Sequence, residues 1–299
     1  RPRQRTQAPG RILAPTPATA SRPSARAAGS SLLKSRNFVV YSRKRTPPVE
    51  PPPHIDATAV ELSEEEALPL LRTGEIIGGH QVPWGSNYTF LVFIDAGPGR
   101  YIRAVYKPRD GERPLYDFPH GTLHKREYAT FLLSRALGWP DVPLMLIRDG
   151  PYGVGSMQHY IESDPEVTYF DLIEDREEEL RRFAVFDLLV NNADRKAGHC
   201  LLGNDGRLWS IDHGLTFHPL FKLRTVMLEF WGQPIPEPLL VDIESLLAEL
   251  KPTDGLAGQL AECLEPVEIE ALRERLRAAL EDPVLPVLDP QRNVPWPWV

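Results

Sequence analysis

The residues of this chain best suited to chemistry lie in two short segments, Asn-Asn-Ala-Asp-Arg-Lys-Ala-Gly-His at 191–199 and Ile-Asp-His-Gly at 211–214. Phosphoryl transfer needs a carboxylate near the attacking hydroxyl, a cation on the transferred phosphate, and ligands for the metal ion that binds the phosphates. Asp194 can orient the hydroxyl or accept its proton, and Lys196 can neutralise charge on the phosphoryl group. His199 and Asp212 can bind the metal. The two segments therefore predict a catalytic loop followed by a metal-binding aspartate.

Each of these residues also has a structural explanation. Asp194 could cap a turn, and His199 could be a hydrogen-bonded histidine within a strand. The combination favours chemistry, because Asp194 and Asp212 stand 18 positions apart across a predicted hairpin of Cys200–Leu202 and Arg207–Ile211.

Such a loop needs a nucleotide-binding lobe, and the preceding sequence predicts a β-rich one. Ser63 and Glu66 form a capping-box pattern that begins a short helix. Alternating apolar residues then predict strands, with helical periodicity in one stretch between them. The predicted strands are Glu75–Val82, Tyr88–Ile94, Tyr101–Lys107, 143–148 and 154–162, and the helix covers 122–137.

Small residues between the first two predicted strands could bring the backbone close to ATP phosphates. Gly85, Ser86 and Asn87 offer N–H groups and a hydroxyl at this turn. An ordinary hairpin turn explains the same residues equally well.

Lys107 ends the third predicted strand, in Ala104-Val105-Tyr106-Lys107. This segment resembles the protein-kinase strand whose lysine pairs with the α- and β-phosphates, which makes Lys107 the candidate for that contact. A lysine that faces a cleft needs a carboxylate partner. Glu127, on the following helix, is the best candidate, with Glu112 and Asp117 as competitors. A strand-end lysine that reaches into water is the alternative.

The segment Met157–Glu162 stands where the two lobes would join. Backbone groups here, around Gln158 and Tyr160, are the candidate adenine contacts, with Ile161 or Met157 against the face of the base. A plain buried strand is the alternative.

The second half of the chain is mainly helical by its apolar periodicity. Helices are predicted at 176–190 and within 240–281, and five prolines predict an irregular tail. The sequence thus predicts an α+β, two-lobed fold. Its parts are a disordered basic arm at 1–55, an ATP-binding N-lobe at 56–162, a catalytic C-lobe at 163–282, and a Pro-rich tail at 283–299.

Charge and composition narrow the classes of partner. Residues 1–49 hold eleven Lys and Arg and no Asp or Glu, whereas the other residues carry 23 basic against 41 acidic side chains. An acidic body argues against nucleic acid as a partner. No apolar run is long enough to span a membrane, and Cys200 and Cys263 have no disulfide-like spacing, so a cytoplasmic location is expected.

The loop motifs resemble those of phosphatidylinositol 3-/4-kinases, in which Asp-Arg-His-x-x-Asn is followed by Ile-Asp-Phe-Gly. The chain is most similar to a bacterial, mainly actinobacterial, group assigned to that family, within the protein-kinase-like superfamily. The resemblance covers roughly residues 75–240. It is carried by Trp84-Gly-Ser-Asn87, Gly111-Glu-Arg-Pro114, Asp117-Phe-Pro119, Asn191-Asn-Ala-Asp-Arg195 and Lys222-Leu-Arg-Thr-Val226.

The resemblance implies an ATP- and metal-dependent kinase with a protein-kinase-like fold and a hydroxyl-bearing acceptor, which is a protein, a metabolite or a lipid headgroup. Two positions depart from the motifs, since His199 replaces Asn and His213 replaces Phe. Kinases of this type use Mg²⁺, but imidazole binds Mn²⁺ more readily than Mg²⁺. The metal is therefore expected to be Mg²⁺ or Mn²⁺, with His199 favouring Mn²⁺. A nucleotide-binding pseudokinase and a nucleotidyl transferase that uses the same cleft are the alternatives.

Overall fold

A computed structural model of the chain describes residues 57–83, 87–250 and 255–299. The predicted basic arm and the turn residues Gly85 and Ser86 lie outside the described residues. In chain order the elements are β1 (Thr58–Ala59), α1 (Glu64–Thr73), β2 (Ile76–Gln81), β3 (Phe90–Asp95), β4 (Arg100–Pro108), α2 (Leu123–Leu137), β5 (Met145–Gly150), β6 (Gly153–His159), α3 (Tyr169–Leu172), α4 (Glu177–Val190), β7 (Cys200–Leu202), β8 (Leu208–Ser210), α5 (Glu237–Glu249), α6 (Leu256–Ala261) and α7 (Pro266–Glu281). The predicted α+β fold, with a β-rich N-lobe before a helical C-lobe, is confirmed.

The N-lobe is a six-stranded sheet with the strand order β2-β3-β4-β6-β5, and β1 pairs in parallel with the start of β4. Every other strand pair is antiparallel. Because β4 lies between β3 and β6, Lys107 near its end stands inside the sheet rather than at an edge. Its register partner on β6 is Ser156.

Helices α1 and α2 supply Ala67, Leu71 and Phe131 to a core that lies under the sheet. The capping box predicted at Ser63 is present and begins α1. Tyr106 and Met157 are fully buried in this core. Met157 therefore cannot lie against a nucleotide base, because its side chain points to the helix-covered side, and of the two predicted contacts only Ile161 stays a prediction.

The C-lobe has its own core, built on α4 with α5 and α7 around it. The helical region predicted over 240–281 consists of parts of three helices, and residues 251–254 between the first two lie outside the described residues. On α7 the predicted apolar stripe is buried at Ile269, Leu272 and Leu276. Each such side chain contributes about 1.5–3 kcal/mol on burial, so the stripe is core.

The tail after α7 is irregular in structure, as predicted, yet it is held against the C-lobe loops. The backbone oxygen of Asn293 accepts the N–H of Thr225 at 2.9 Å, and that of Trp298 accepts the N–H of Ala197 at 2.8 Å. The tail thus contacts the segment that carries Lys196.

Both cysteines are buried free thiols, in agreement with the sequence. Across the described ranges, no helix combines the length and apolarity that crossing a membrane requires.

Candidate active site between the lobes

Three charged side chains meet where β4, α2 and the segment after β8 approach one another. Lys107 Nζ contacts Glu127 Oε1 and lies 2.9 Å from Asp212 Oδ1. Glu127 is only 4% exposed, and its other oxygen accepts a hydrogen bond from Ser156 Oγ at 3.0 Å. The predicted partner of Lys107 is therefore in contact with it.

The two competing carboxylates have other partners. Glu112 binds His124, and Asp117 forms an ion pair with Lys222 Nζ at 2.8 Å. Lys107 is 19% exposed, which leaves its ammonium group in the cleft rather than in open solvent.

Two further pairs complete the cluster. His199 Nε2 lies 3.2 Å from Asp212 Oδ2, and Lys196 Nζ lies 3.1 Å from Asp194 Oδ2. Asp212 exposes 45% of its side chain, the largest fraction among these residues, so a ligand in the cleft can reach it. The structure thus brings together Lys107, Glu127, Asp194, Lys196, His199 and Asp212.

A fully buried arginine, which sequence analysis left without a role, holds this arrangement together. Arg195 forms a two-pronged ion pair with Asp187 of α4, at 2.7 and 2.9 Å. It also donates to the backbone oxygens of His199 at 3.0 Å and Ile211 at 3.2 Å. These carbonyls lie just before and just after the β7–β8 hairpin, so Arg195 fixes the positions of His199 and Asp212 at its two ends.

The histidine that follows Asp212 belongs to the same network. His213 Nε2 lies 2.9 Å from both Arg195 Nη2 and Ser210 Oγ. Since guanidinium only donates, Nε2 is an acceptor and the ring proton is on Nδ1. Burial lowers the pKa of His213 well below its ordinary range, so the ring is neutral. Asp187 lies eight residues before Arg195, and a separation of eight residues does not by itself predict an ion pair.

Two asparagines shape the backbone of the catalytic loop. Asn191 ends α4 in the left-handed conformation, with φ 54°, and its side chain bonds the backbone of His218, Leu220 and Lys222. Asn192 Oδ1 accepts the N–H of Asp194 at 3.0 Å. The loop therefore arrives at Asp194 with its direction fixed.

The residues predicted to contact the nucleotide do not form one cluster, as the charged residues do. Gln158 is buried on β6 opposite Val105, on the sheet face that also carries Lys107. Tyr160 packs under the guanidinium of Arg103, at 4.9 Å, beside Leu91 and Phe93. Asn87 Oδ1 is occupied by the N–H of Arg113 at 2.7 Å. Of the predicted phosphate turn, only Asn87 is among the described residues.

Charge in the cleft is set by burial and by the neighbours of each group. Burial opposes the charge of Lys107, but Asp212 and Glu127 outweigh it and raise the pKa of this lysine. Lys107 in turn lowers the pKa of Asp212 strongly. Burial lowers the pKa of His199 to about 4, which leaves its imidazole neutral and able to bind a metal ion.

Residues His199 and Asp212 suit a divalent cation that is shared with phosphates. Within the described ranges, no set of three or more His, Cys, Asp or Glu side chains converges on one point. Two protein ligands with water and phosphate oxygens are nevertheless a common environment for Mg²⁺ and Mn²⁺ in phosphoryl-transfer sites. The two carboxylates that contact Lys107 carry more negative charge than its single positive charge neutralises, and this excess also favours a bound cation.

No protein-family model matches the chain. A curated relative, Protein Rv2133c of Mycobacterium tuberculosis, is 38% identical in sequence, and the match covers 80% of this chain and 97% of the relative. The chain belongs to the Rv2133c family.

Solved structures with a similar arrangement of elements include three proteins of low sequence identity. They are the Golgi casein kinase (TM-score 0.45, 16% identity, 74% of this chain and 75% of that one), the Helicobacter pylori proinflammatory kinase CtkA (0.44, 12%, 73% and 95%) and hydra Fam20 with sugar (0.46, 16%, 76% and 91%). At these scores the similarity says nothing about activity. The chemistry open to this member of the Rv2133c family depends on its own residues.

In this Rv2133c-family member, the negative charge of Asp194 lowers the stability of the fold at neutral pH, and this cost can be measured. Burial raises the pKa of Asp194 from 3.8 to about 6, although Lys196 opposes the shift. The folded protein therefore holds this proton more tightly than the unfolded chain, and stability falls as pH rises from about 4 to about 6.

We expect Asp194→Asn to remove this penalty and to stabilise the fold by about 1–2 kcal/mol at pH 7.5, less than the full shift implies because Lys196 loses its partner. The gain should vanish at pH 3.5, where both states are protonated. Thermal unfolding at the two pH values measures it. Asp205→Asn is the matched control, because hydrogen bonds to Arg207 outweigh burial and lower the pKa of Asp205, so this change should not stabilise. An Asp194→Asn variant no more stable than wild type at pH 7.5 would contradict the expectation.

Proposed function

We propose that this protein is an ATP- and divalent-metal-dependent phosphotransferase of the kinase type. The observation that carries the proposal is Lys107 on the central strand, paired with Glu127 of α2 and within 2.9 Å of Asp212. A cation fixed in this way is placed to neutralise the α- and β-phosphates of a nucleotide. The phosphatidylinositol 3-/4-kinase-like assignment is proposed on the loop motifs alone.

Each remaining residue has a role in this proposal. Asp194 would orient the acceptor hydroxyl and take its proton, which suits a carboxyl whose pKa is raised to about 6. Lys196 would contact the γ-phosphate. Asp212 and His199 would hold Mg²⁺ or Mn²⁺, and the bound cation would neutralise charge on the β- and γ-phosphates.

The nucleotide would lie along the sheet face that carries Lys107. Half-buried apolar side chains on this face, Ile77, Val82 and Val105, offer a surface for the base. We place Gln158 and Tyr160 at the edge of that surface and Asn87 at the phosphate end, while the phosphate contacts of Gly85 and Ser86 stay a prediction from the sequence.

Transfer of label from ATP tests the proposal. Wild type with γ-labelled ATP should label an acceptor in fractionated lysate in the presence of Mg²⁺ or Mn²⁺, and Asp194→Asn should not. Label from α-labelled ATP instead would assign nucleotidyl transfer. ATP binding without any transfer would assign a pseudokinase, and absence of nucleotide binding would overturn the proposal.

The metal preference should depend on His199. A neutral imidazole is a softer ligand than an amide oxygen, so we expect wild type to work better with Mn²⁺ than with Mg²⁺. His199→Asn should shift the ratio of the two rates towards Mg²⁺ by about tenfold, the size of effect typical for a change around a bound metal. His218→Asn is the control, because this half-buried ring contacts the backbone of Leu220 and the ring of Phe118 rather than Asp212. An unchanged ratio in His199→Asn would remove His199 from the metal site.

A further inference from the structure

The segment between β4 and α2, residues 109–122, touches both lobes of the molecule. The backbone oxygen of Gly111 accepts the N–H of Tyr88 at 2.9 Å, beside the predicted phosphate turn. Asp117 forms its ion pair with Lys222 of the C-lobe. Phe118 packs on the ring of His218, with 5.3 Å between centroids. The segment is therefore held at both lobes before it enters α2.

Glu112 lies at the centre of this segment, and its carboxylate is directed at the first turn of α2. Its oxygens accept the N–H groups of Leu123 at 3.1 Å and His124 at 3.0 Å. Its Oε1 also lies 2.7 Å from His124 Nδ1. The Glu112 side chain is 6% exposed and the His124 side chain 2%, so the contact is sealed from water.

Glu112 does what the capping residue of a helix ordinarily does. Thr122 precedes α2, but its side chain makes no capping bond, and its hydroxyl donates to the backbone oxygen of Pro119 at 2.7 Å. Free N–H groups at a helix N-terminus need an acceptor, and a negative charge there is favourable. Glu112, eleven positions before Leu123, supplies both the acceptor oxygens and the negative charge. The position of α2 therefore depends on the conformation of the segment 109–122.

The first turn of α2, which Glu112 holds, is followed within one helical turn by Glu127 of the candidate active site. Glu127 follows His124 by three residues and thus lies on the same side of α2. It is the residue that holds Lys107, and it binds Ser156 of β6 as well. A shift of the first turn of α2 would move this carboxylate relative to β4.

We propose that Glu112 is a positioning residue for the nucleotide site, acting through α2 on the Glu127–Lys107 pair. This inference rests on the proposed function, since it gives Glu112 a part in binding the nucleotide that Lys107 would clamp. The ligand whose binding Glu112 would affect is the one proposed to contact Lys107, a nucleoside polyphosphate.

A double-mutant cycle with Glu127 tests the inference. The affinity for a non-hydrolysable ATP analogue is measured for wild type, Glu112→Ala, Glu127→Gln and the double variant, with thermal unfolding of each. Loss of a helix cap commonly corresponds to a roughly three- to thirtyfold change in the folding equilibrium constant, and only the part of it that displaces Glu127 can weaken binding, so we expect Glu112→Ala to lower the affinity for the analogue by up to about that factor. In the Glu127→Gln background the same change should have no further effect on affinity, because the group through which Glu112 acts is already gone.

Two further variants keep the result interpretable. Asp110→Asn changes an exposed carboxylate of the same segment, 71% exposed, and should bind the analogue as wild type does. Glu112→Gln keeps the shape of the side chain with one oxygen acceptor, so it should fold even if Glu112→Ala does not, and should show a smaller loss of affinity.

The possible results separate the two proposals. Glu112 variants that lower thermal stability but bind the analogue normally, while Glu127→Gln binds it weakly, would overturn the inference alone. Full additivity in the cycle would do the same, because it would show that Glu112 acts by another route. If Glu127→Gln itself left both binding and label transfer unchanged, the proposed function would fall, and this inference with it.

Discussion

Asp212→Asn is expected to lower ATP turnover by about 10²–10³-fold while the protein stays folded. That is the range found when a single group that stabilises transition-state charge is removed from an active site. Asp212 contacts both Lys107 and His199, and it is exposed to the cleft. Its loss would remove a proposed metal ligand and one of the two carboxylates that orient the lysine.

Asparagine is the right replacement because of the backbone at this position. Asp212 has φ 61°, in the left-handed region, where most residues with a β-carbon are strained. Asparagine tolerates this conformation as aspartate does, whereas alanine would add backbone strain to the loss of the carboxylate. Asp212→Asn thus separates chemistry from folding more cleanly than Asp212→Ala.

The measurement has two arms, because the acceptor of the proposed transfer is open. Release of ADP reports turnover, and thermal shift with ATP, with and without Mn²⁺, reports the part of nucleotide binding that depends on metal. We expect Asp212→Asn to lose that metal-dependent part and to keep the rest. Asp205→Asn, on the loop between β7 and β8, should match wild type in both arms. Turnover by Asp212→Asn within threefold of wild type would refute the role of Asp212.

The sequence predicted most elements because their signals are local. The capping box at Ser63 and the turns between strands depend on near neighbours in the chain, and helix α4 follows from its apolar periodicity. The division of the region 240–281 into separate helices was missed, although Pro252, Gly255 and Pro266 are residues that commonly mark helix boundaries. The two-residue strand β1 and the single turn of α3 are too short for any periodic signal.

The site divides in the same way. Residue type and spacing could indicate Lys107, Asp194 and Asp212 as candidates, because phosphoryl transfer restricts which groups are needed. The groups that position them could not. Arg195 reads as one more charged loop residue, and only its burial with Asp187 and the carbonyl of Ile211 shows its place. By residue type Glu112 competes with Glu127 as the partner of Lys107, but its carboxylate binds the first turn of α2 instead.

The largest effect on stability is expected from Arg195→Met. Arg195 is fully buried, and its removal would leave the carboxylate of Asp187 without its cation, 1% exposed. Breaking a buried ion pair by removing one partner commonly costs about 3–5 kcal/mol, because the other charge stays behind. Thermal unfolding should show this as a fall of roughly 10 °C for a domain of this size. Arg176→Met, which breaks the more exposed pair with Glu179, should cost less than about 1 kcal/mol.

Arg195→Lys distinguishes charge from geometry at this position. Lysine keeps the positive charge but is a compact ammonium group, so it cannot reach Asp187 and the carbonyls of His199 and Ile211 together. We expect this variant to recover part of the stability lost in Arg195→Met, yet to turn over ATP far more slowly than its stability alone would suggest. The reason is that the two carbonyls set the ends of the hairpin that carries His199 and Asp212. If Arg195→Lys were destabilised but turned over ATP at the wild-type rate whenever folded, Arg195 would be a structural residue only, and the position of the hairpin would be fixed by the chain around it.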